Sequence, residues 1–129
     1  MTDGAIASPG LERARARIER DYASGLTVEA LARLAGCSTF HFIRAFRRAY
    51  GVTPARLLRR RRLERARELL TSTPMPVTEI CETVGYASLG TFSREFRRET
   101  GESPTAYRRR TRRPVYVPGC FLRMYRADR

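Results

Sequence analysis

Two short stretches of the chain place arginines next to apolar or small side chains at the spacing of one helix face. The first carries Phe40, Ile43 and Arg44, and the second carries Thr91 and Arg94. A guanidinium group donates paired hydrogen bonds to phosphate or to guanine, and an apolar side chain contacts the thymine methyl group. Both stretches are therefore candidates for contact with a nucleic acid, although single apolar residues also occur on ordinary protein surfaces.

The remaining reactive side chains do not form a catalytic or metal-binding pattern. His41 is the only histidine, and Cys37, Cys81 and Cys120 are far apart with no CxxC pair. A zinc site needs clustered cysteine and histidine ligands, and a disulfide framework uses an even number of cysteines. We therefore predict no catalytic residue, no metal and no cofactor, and we expect reduced, mostly buried thiols. His41 is expected to fix the position of its helix or to contact a phosphate.

The composition also indicates a polyanionic partner. The 129 residues include 26 basic residues, all of them arginine, and 13 acidic ones, for a net charge of +13. At 42% apolar residues the chain is too apolar for a disordered basic protein, and its charge is unusual for an ordinary enzyme. The length suggests one domain or two small lobes, and the charge suggests nucleic acid. A GC-rich coding bias also accounts for the choice of arginine over lysine.

The chain shows no sequence signal for export or membrane insertion. Residues 1–8 lack a basic segment followed by an apolar run, so no signal peptide is predicted. No apolar stretch approaches about 18 residues, the length that crosses a bilayer. We expect a cytoplasmic protein without membrane contact.

The chain contains one internal repeat, which begins at Val28 and again at Val77. The offset is 49 residues as far as the pair Gly36 and Gly85 and becomes 50 afterwards, so the second copy has one extra residue after its glycine. An insertion between two intact periodic segments is typical of a loop between helices. After the turn, the matching positions are Phe42, Arg44, Phe46, Arg47, Arg48, Gly51 and Pro54 against Phe92, Arg94, Phe96, Arg97, Arg98, Gly101 and Pro104.

Each copy predicts a helix, a tight turn and a second helix. In the first copy Thr27 caps the first helix and Gly36 ends it. The second helix of that copy begins after a cap at Ser38 and stops at Gly51. The corresponding bounds in the second copy are Pro76, Gly85, Ser88 and Gly101.

Ser-Pro or Thr-Pro pairs start three further helices. They begin at Ser8, Thr53 and Ser103, and the middle helix extends to about Thr71. The result is an all-α chain of about seven helices, in which a long linker helix joins two helix-turn-helix subdomains. The predicted parts are an N-terminal helix in 1–25, the first subdomain in 26–52, the linker in 53–73, the second subdomain in 74–110 and a basic and apolar tail in 111–129. The last fifteen residues could be an extended segment or a short strand.

Helical periodicity separates a buried from an outward face on the second helix of each copy. The inward positions are Phe42, Ala45, Phe46 and Ala49 in the first copy and Phe92 and Phe96 in the second. The outward positions are Phe40, Ile43, Arg44, Arg47 and Arg48 in the first copy and Gly90, Thr91, Arg94, Arg97 and Arg98 in the second, with Ser93 at the edge. Leu89 is expected to pack rather than to contact a base. Because Gly90 has no side chain, the second helix offers fewer candidates for base contact.

These motifs resemble the DNA-binding domain of the AraC family of bacterial transcription regulators. The similarity covers residues 26–110 and is strongest in V-G-Y-x-S-x-x-x-F-S-R-x-F-R-R-x-x-G-x-S-P-x-x-Y-R, from Val84 to Arg108. The first copy, A-G-C-S-T-F-H-F-I-R-A-F-R-R-A-Y-G-V-T-P, and the linker segment R-L-E-R-A-R-E-L-L support it. Leu89 and Gly90 depart from the family, which often has polar side chains there.

The resemblance implies a sequence-specific transcription regulator that inserts two recognition helices into adjacent major-groove segments of double-stranded DNA. The implied base contacts are Phe40, Ile43, Arg44, Gly90, Thr91, Ser93 and Arg94. The expected phosphate contacts are Ser38, His41, Arg47, Arg48, Arg97 and Arg98. Since few residues precede the first copy, the chain is similar to the stand-alone members, which act as monomers without an effector domain. RNA polymerase is the expected protein partner.

Two further arginine clusters allow more than one interpretation. Arg59 to Arg62 point all around the linker helix. The resemblance suggests that Arg62 packs or pairs with a glutamate of a neighbouring helix, and the others are expected to be solvated or to face phosphate. The run from Arg108 to Arg113 could be a DNA-binding arm, a flexible tail or both.

A second class of function competes with the regulator hypothesis at this point. The chain could be a module that contacts RNA polymerase and binds DNA only loosely. A sequence-specific protein prefers its site by roughly 10³-fold or more, whereas a loose binder shows a strong salt dependence and little preference. Specificity therefore separates the two hypotheses.

Overall fold

The computed structural model describes residues 8–112, which form seven α-helices and no β-strand. The helices are α1 Pro9–Asp21, α2 Val28–Ala35, α3 Thr39–Tyr50, α4 Pro54–Ser72, α5 Val77–Thr83, α6 Leu89–Thr100 and α7 Pro104–Thr111. This confirms the all-α prediction with two helix-turn-helix units joined by a long helix. Nothing in this range has the length and apolar character of a membrane-crossing helix. The predicted tail after Arg112, with Cys120 and Arg113, lies outside the described residues.

Side-chain caps fix where most of the helices begin. Six helices start after a serine or threonine whose side-chain oxygen accepts a hydrogen bond from the backbone N–H three residues later, which satisfies one of the free donors of the first turn. The capping residues are Ser8, Thr27, Ser38, Thr53, Ser88 and Ser103. The exception is α5, where Pro76 occupies the cap position itself and not the first helical turn, and makes no side-chain cap bond.

The buried side chains form two clusters that share α4. The first cluster consists of Leu11, Ala14, Ile18, Leu31, Ala32, Phe42, Phe46, Leu57 and Leu58. The second consists of Leu63, Ala66, Leu69, Leu70, Ile80, Cys81, Val84, Tyr86, Phe92 and Phe96. The change from one cluster to the other falls between Leu58 and Leu63, within one continuous helix. Residues 8–112 therefore form two units, α1–α3 and α5–α7, each packed on its own half of α4.

The two described cysteines differ in accessibility, and both are free thiols. Cys37 is partly buried in the turn between α2 and α3, with its sulfur 3.8 Å from the Ala35 carbonyl oxygen. Cys81 is buried in the second cluster, and that burial raises the pKa of its thiol. Since the thiolate is the reactive form, Cys81 is a packing residue.

The cap of α7 allows a stability test away from the recognition helices. The Ser103 Oγ atom accepts a hydrogen bond from the Ala106 backbone N–H at 3.1 Å, and alanine leaves that donor without its partner. Loss of a serine cap costs about 1 kcal/mol, so Ser103→Ala is expected to lower the free energy of unfolding by about that amount. Urea titration followed by circular dichroism measures it. Thr105→Ala, at an exposed position of the same turn, is the matched control, and an equal loss in both variants would contradict the capping role.

Candidate nucleic-acid interface

The second helix of each unit starts in the same way. At α3 the Ser38 Oγ atom accepts from the His41 backbone N–H at 3.2 Å, and at α6 the Ser88 Oγ atom accepts from the Thr91 backbone N–H at 3.2 Å. Both helices end at a glycine in the left-handed conformation, Gly51 with φ 76° and Gly101 with φ 90°. The repeat in sequence is thus a repeat in structure, with two helices of twelve residues each.

Buried phenylalanines set which face of these helices points outward. Phe42 and Phe46 on α3 and Phe92 and Phe96 on α6 are fully buried. Their rings lie 5.6 Å apart on α3 and 5.8 Å apart on α6, so one aromatic stripe holds each helix on its core. The predicted inward face is confirmed, and the residues opposite the stripe are directed away from the core.

The outward face of α3 begins with an unusually exposed aromatic side chain. Phe40 is 70% exposed, and the guanidinium carbon of Arg44, one turn later, lies 5.5 Å from the centre of its ring. Ile43 is partly buried, while His41 and Arg44 are exposed. A ring beneath a guanidinium restricts where that group can point. This face therefore presents an arginine already supported by an apolar surface.

The outward face of α6 has no such support. Gly90 takes the position equivalent to Phe40, and Arg94 donates from Nη2 to the Thr91 Oγ1 atom at 3.4 Å. A Cβ atom at Gly90 would lie 3.6 Å from the Ser88 Oγ atom and 3.8 Å from the Arg94 Nη1 atom, both ordinary contacts. Packing within the protein therefore does not require a glycine at this exposed position. Its effect is to leave the start of α6 bare, which permits a close approach by a ligand.

Leu89 was expected to pack, and the structure corrects this prediction. It is the first residue of α6 and keeps 44% of its surface exposed. At the first helical position its side chain lies beside Gly90 and outside the buried stripe of Phe92 and Phe96. Leu89 therefore adds an apolar group to the outward face of α6, where Thr91 and Ser93 are partly buried.

The arginines of α3 and α6 differ in their partners from several arginines of the other helices. Within residues 8–112, none of the six arginines on these two helices forms an ion pair; they are Arg44, Arg47, Arg48, Arg94, Arg97 and Arg98. All six are exposed. The ion pairs of the described residues use arginines of α1, α4 and α7, such as Arg61 with Glu19 at 2.6 Å. Each of the two helices thus presents three exposed arginines that form no ion pair within the described residues.

Two of the linker arginines that the sequence suggested to be solvated form ion pairs instead. Arg59 lies 3.5 Å from Glu95, and Arg61 pairs with both Glu19 and Glu64, so the interpretation of these two as solvated or phosphate-facing is wrong. Arg60 is exposed. Arg62 packs against Tyr86, as the resemblance suggested, but the ion pair with Glu95 belongs to Arg59.

The structure also removes Arg108 from the predicted DNA-binding arm. Arg108 donates from Nε to the Leu70 carbonyl at 3.1 Å and from Nη2 to the Thr73 carbonyl at 2.9 Å, so it closes the end of α4. Arg110 donates to Glu102 at 2.6 Å. Arg109 and Arg112 are exposed. An arm that contacts DNA would therefore start after Arg108.

The site carries no metal-binding constellation in the part of the chain that the structure describes. There, no three side chains of histidine, cysteine, aspartate or glutamate come together. His41 is exposed at the start of α3, where only its backbone N–H takes part in the cap. What the two helix faces offer is cationic hydrogen-bond donors, hydroxyl groups and exposed apolar surface. That set matches the phosphates, base edges and thymine methyl groups of a duplex.

Two capped helices with unpaired outward arginines define a double helix-turn-helix DNA-binding domain. A family model described as a helix-turn-helix domain matches residues 31–110. The RCS-specific HTH-type transcriptional activator RclR of Escherichia coli K12 is 42% identical over 86 residues, which cover 67% of this chain and 30% of RclR. Regulatory protein SoxS of Salmonella typhimurium is 38% identical over 85 residues, which cover 66% of this chain and 79% of SoxS. The chain belongs to the AraC family of transcription regulators.

Solved structures agree with this assignment. The C-terminal domain of AraT, a response regulator from Geobacillus stearothermophilus, superposes with a TM-score of 0.80 at 36% identity, covering 86% of this chain and 93% of that one. The DNA-binding domain of the global transcriptional factor AdpA, in complex with a target DNA, gives a TM-score of 0.73 at 33% identity, covering 78% and 91%. The chain spans 30% of the length of RclR and 36% of the length of LumQ from Photobacterium leiognathi. The similarity to those two concerns one part of each protein.

Proposed function

We propose that this chain regulates transcription by binding a specific double-stranded DNA site with α3 and α6 in adjacent major-groove segments. The carrying observation is that all six arginines of these two helices are exposed and form no ion pair within the described residues, while several arginines of α1, α4 and α7 are paired with carboxylates. Helix-turn-helix proteins place the start of the second helix at base edges and let other groups contact phosphate. The proposal involves no catalytic step and no cofactor.

The two units contribute differently to base recognition in this proposal. On α3, Phe40 and Ile43 contact thymine methyl groups or sugars, and Arg44 donates to guanine. On α6 the contacts come from Thr91, Ser93 and Arg94, with the bare backbone at Gly90 close to the DNA. Leu89 adds an apolar contact. The first unit therefore supplies most of the direct discrimination between base pairs.

Phosphate contacts set the position of the protein on the duplex. The proposed groups are Ser38, His41, Arg47, Arg48, Arg97 and Arg98, all exposed on or just before the two helices. Neutralising a phosphate releases condensed counterions, so these contacts provide affinity that falls with salt and carries no sequence information.

One chain carries both recognition helices, so we propose that a monomer covers the whole site. The subdomains proposed to act at the DNA are 26–52 and 74–110, with the linker in 53–73 between them. Two successive groove segments on one DNA face lie about 34 Å apart, and simultaneous insertion from a rigid linker bends the duplex at a cost of about 1–6 kcal/mol. RNA polymerase remains the proposed protein partner.

Selection from random duplexes tests the proposal. The full chain is incubated with a random library, bound duplexes are amplified over several rounds, and the enriched sequences are aligned. We expect two enriched blocks separated by about one helical turn, the block under α3 being the more strongly defined. A library without enriched blocks would favour the alternative, an RNA-polymerase-contacting module that binds DNA loosely.

Removal of a phosphate contact is expected to act on all DNA alike. Arg98→Ala should weaken binding to the selected duplex and to a scrambled one by the same factor, and should reduce the slope of log K against log salt by about 1. Fluorescence anisotropy at four or five salt concentrations measures both. Arg60→Ala removes the same charge from α4 and is expected to leave the slope almost unchanged. An unaltered slope in Arg98→Ala would exclude Arg98 as a phosphate contact.

A further inference from the structure

A half-buried arginine lies where the two units meet. Arg62 belongs to α4, donates from Nε to the Tyr22 carbonyl oxygen at 2.7 Å, and places its guanidinium carbon 5.7 Å from the centre of the Tyr86 ring. Tyr22 follows the last residue of α1, in the first unit, and Tyr86 lies in the turn before α6, in the second. One side chain of the linker helix thus contacts both units. Burial lowers the pKa of Arg62, and Tyr86 and Glu95 oppose that effect.

The turn of the second unit also contacts the end of α1 directly. Gly85 has φ +105°, and a Cβ atom there would lie 2.9 Å from the Ala23 Cα atom and 3.1 Å from both the Arg62 Nε atom and the Tyr22 oxygen. Side chains essentially never approach backbone atoms at 2.9 Å. Only a residue without a side chain therefore allows this turn to sit against α1 and Arg62.

A carboxylate on the inner side of α6 completes the cluster. Glu95 lies 3.5 Å from the Arg59 Nε atom and accepts a hydrogen bond from the Tyr86 hydroxyl at 2.5 Å. Burial, with the neighbouring Glu95 carboxylate, raises the pKa of Tyr86, so the hydroxyl stays a donor. Glu95 therefore connects α6 both to α4 and to the turn that leads into it.

Polar groups in such a place contribute more to geometry than to stability. A half-buried guanidinium gains little net free energy over an apolar side chain of similar size, but its hydrogen bond is satisfied in one arrangement only. The main packing of the described helices stays within each unit or runs to α4. Besides their packing on α4, the two units therefore meet at this cluster, which we call the junction: Tyr22, Arg59, Arg62, Gly85, Tyr86 and Glu95.

We propose that Arg62, held by the junction, fixes the separation of α3 and α6 and so determines how many base pairs lie between the two blocks of the DNA site. The inference rests on the proposed function, because it needs both helices to bind DNA. Arg62 is a positioning residue in this role and contacts no base. Adding or removing one base pair rotates and shifts one block relative to the other, which a fixed junction does not follow.

Selection from the random library is repeated with Arg62→Met, which keeps an apolar stem of similar length but cannot donate to the Tyr22 carbonyl. The wild type is expected to enrich one spacing and to bind duplexes lengthened or shortened by one base pair about 10-fold more weakly. Arg62→Met is expected to enrich several spacings and to lose most of that 10-fold preference. Arg60→Met, at an exposed position of the same helix, should keep the wild-type spacing.

Spacing preference separates a positioning role from a structural one. A variant that is only less stable binds all duplexes more weakly by one factor and keeps the wild-type spacing. Arg62→Lys keeps the charge and can still donate to Tyr22, so it should restore part of the preference. If circular dichroism shows that Arg62→Met does not fold, the spacing preference is measured with Glu95→Gln instead. This variant weakens the connection of α6 to Arg59 at a partly exposed position.

The outcomes are distinguishable. If a folded Arg62→Met variant still enriches one fixed spacing, the role of the junction is overturned and the two-block proposal stays intact. The same conclusion holds for one fixed spacing in Glu95→Gln if Arg62→Met does not fold. A single enriched block from the wild type would overturn the two-block proposal itself and the junction's role with it. Several spacings in the variant and one spacing in the wild type would support both the two-block proposal and the role of the junction.

Discussion

Arg44→Ala is expected to weaken binding to the selected DNA site by about 5- to 150-fold, equivalent to about 1–3 kcal/mol, and to relax the preference at one base pair. The reason is the geometry at the start of α3. Arg44 is exposed, has no ion pair among the described residues, and lies 5.5 Å from the ring of Phe40. A guanidinium held in this way can donate both hydrogen bonds to one guanine.

Anisotropy titration with the selected duplex and the three single-base-pair variants at the affected position measures this loss. Phe40→Ala removes the ring that lies next to the Arg44 guanidinium. Because the two side chains are in contact, a double-mutant cycle with Arg44→Ala should show coupling in the binding free energy. Arg60→Ala is the charge-matched control. If Arg44→Ala weakened selected and scrambled DNA by the same factor, Arg44 would be a phosphate contact and not a base contact.

Phe96→Ala is expected to lower the free energy of unfolding by about 3–5 kcal/mol, a large part of the stability of a small domain. The side chain is fully buried, and its ring lies 5.8 Å from that of Phe92 and 5.3 Å from that of Tyr107. Alanine leaves a cavity in the middle of the second core. Urea unfolding followed by circular dichroism gives the loss.

The repeat provides a matched variant for this test. Phe46 occupies the equivalent place in the first core and is also fully buried, so Phe46→Ala should cost a similar amount. Hydrogen exchange should show the lost protection first in α5–α7 for Phe96→Ala and in α1–α3 for Phe46→Ala, because the cores are separate. Phe40→Ala, at an exposed position, should cost less than about 0.5 kcal/mol. Identical exchange patterns in both core variants would contradict the two-core description.

Local signals in the sequence were sufficient for the helices and for the buried faces of α3 and α6. A serine before each recognition helix and a glycine after it act within one turn of chain, so Ser38, Gly51, Ser88 and Gly101 could be assigned without knowing any neighbour. The spacing of Phe92 and Phe96 then determined which side of α6 is buried. These are short-range effects, and the structure bears them out.

The partners of the linker arginines depend on contacts between residues far apart in the chain. Nothing near Arg61 or Arg62 in sequence indicates Glu19 or the Tyr22 carbonyl, which lie some forty residues earlier. Arg108 likewise donates hydrogen bonds to the carbonyl groups of Leu70 and Thr73 only because α7 packs on α4. Helical periodicity shows the direction of a side chain but not the acceptor that it meets.

The specificity ratio tests the central claim most directly. Fluorescence anisotropy compares the full chain on its selected duplex and on a scrambled duplex of equal length and composition, at several salt concentrations. We expect a preference of roughly 10³-fold or more at physiological salt, with a similar salt slope for both duplexes if the phosphate contacts are shared. Equal affinities at every salt concentration would contradict sequence-specific binding by α3 and α6.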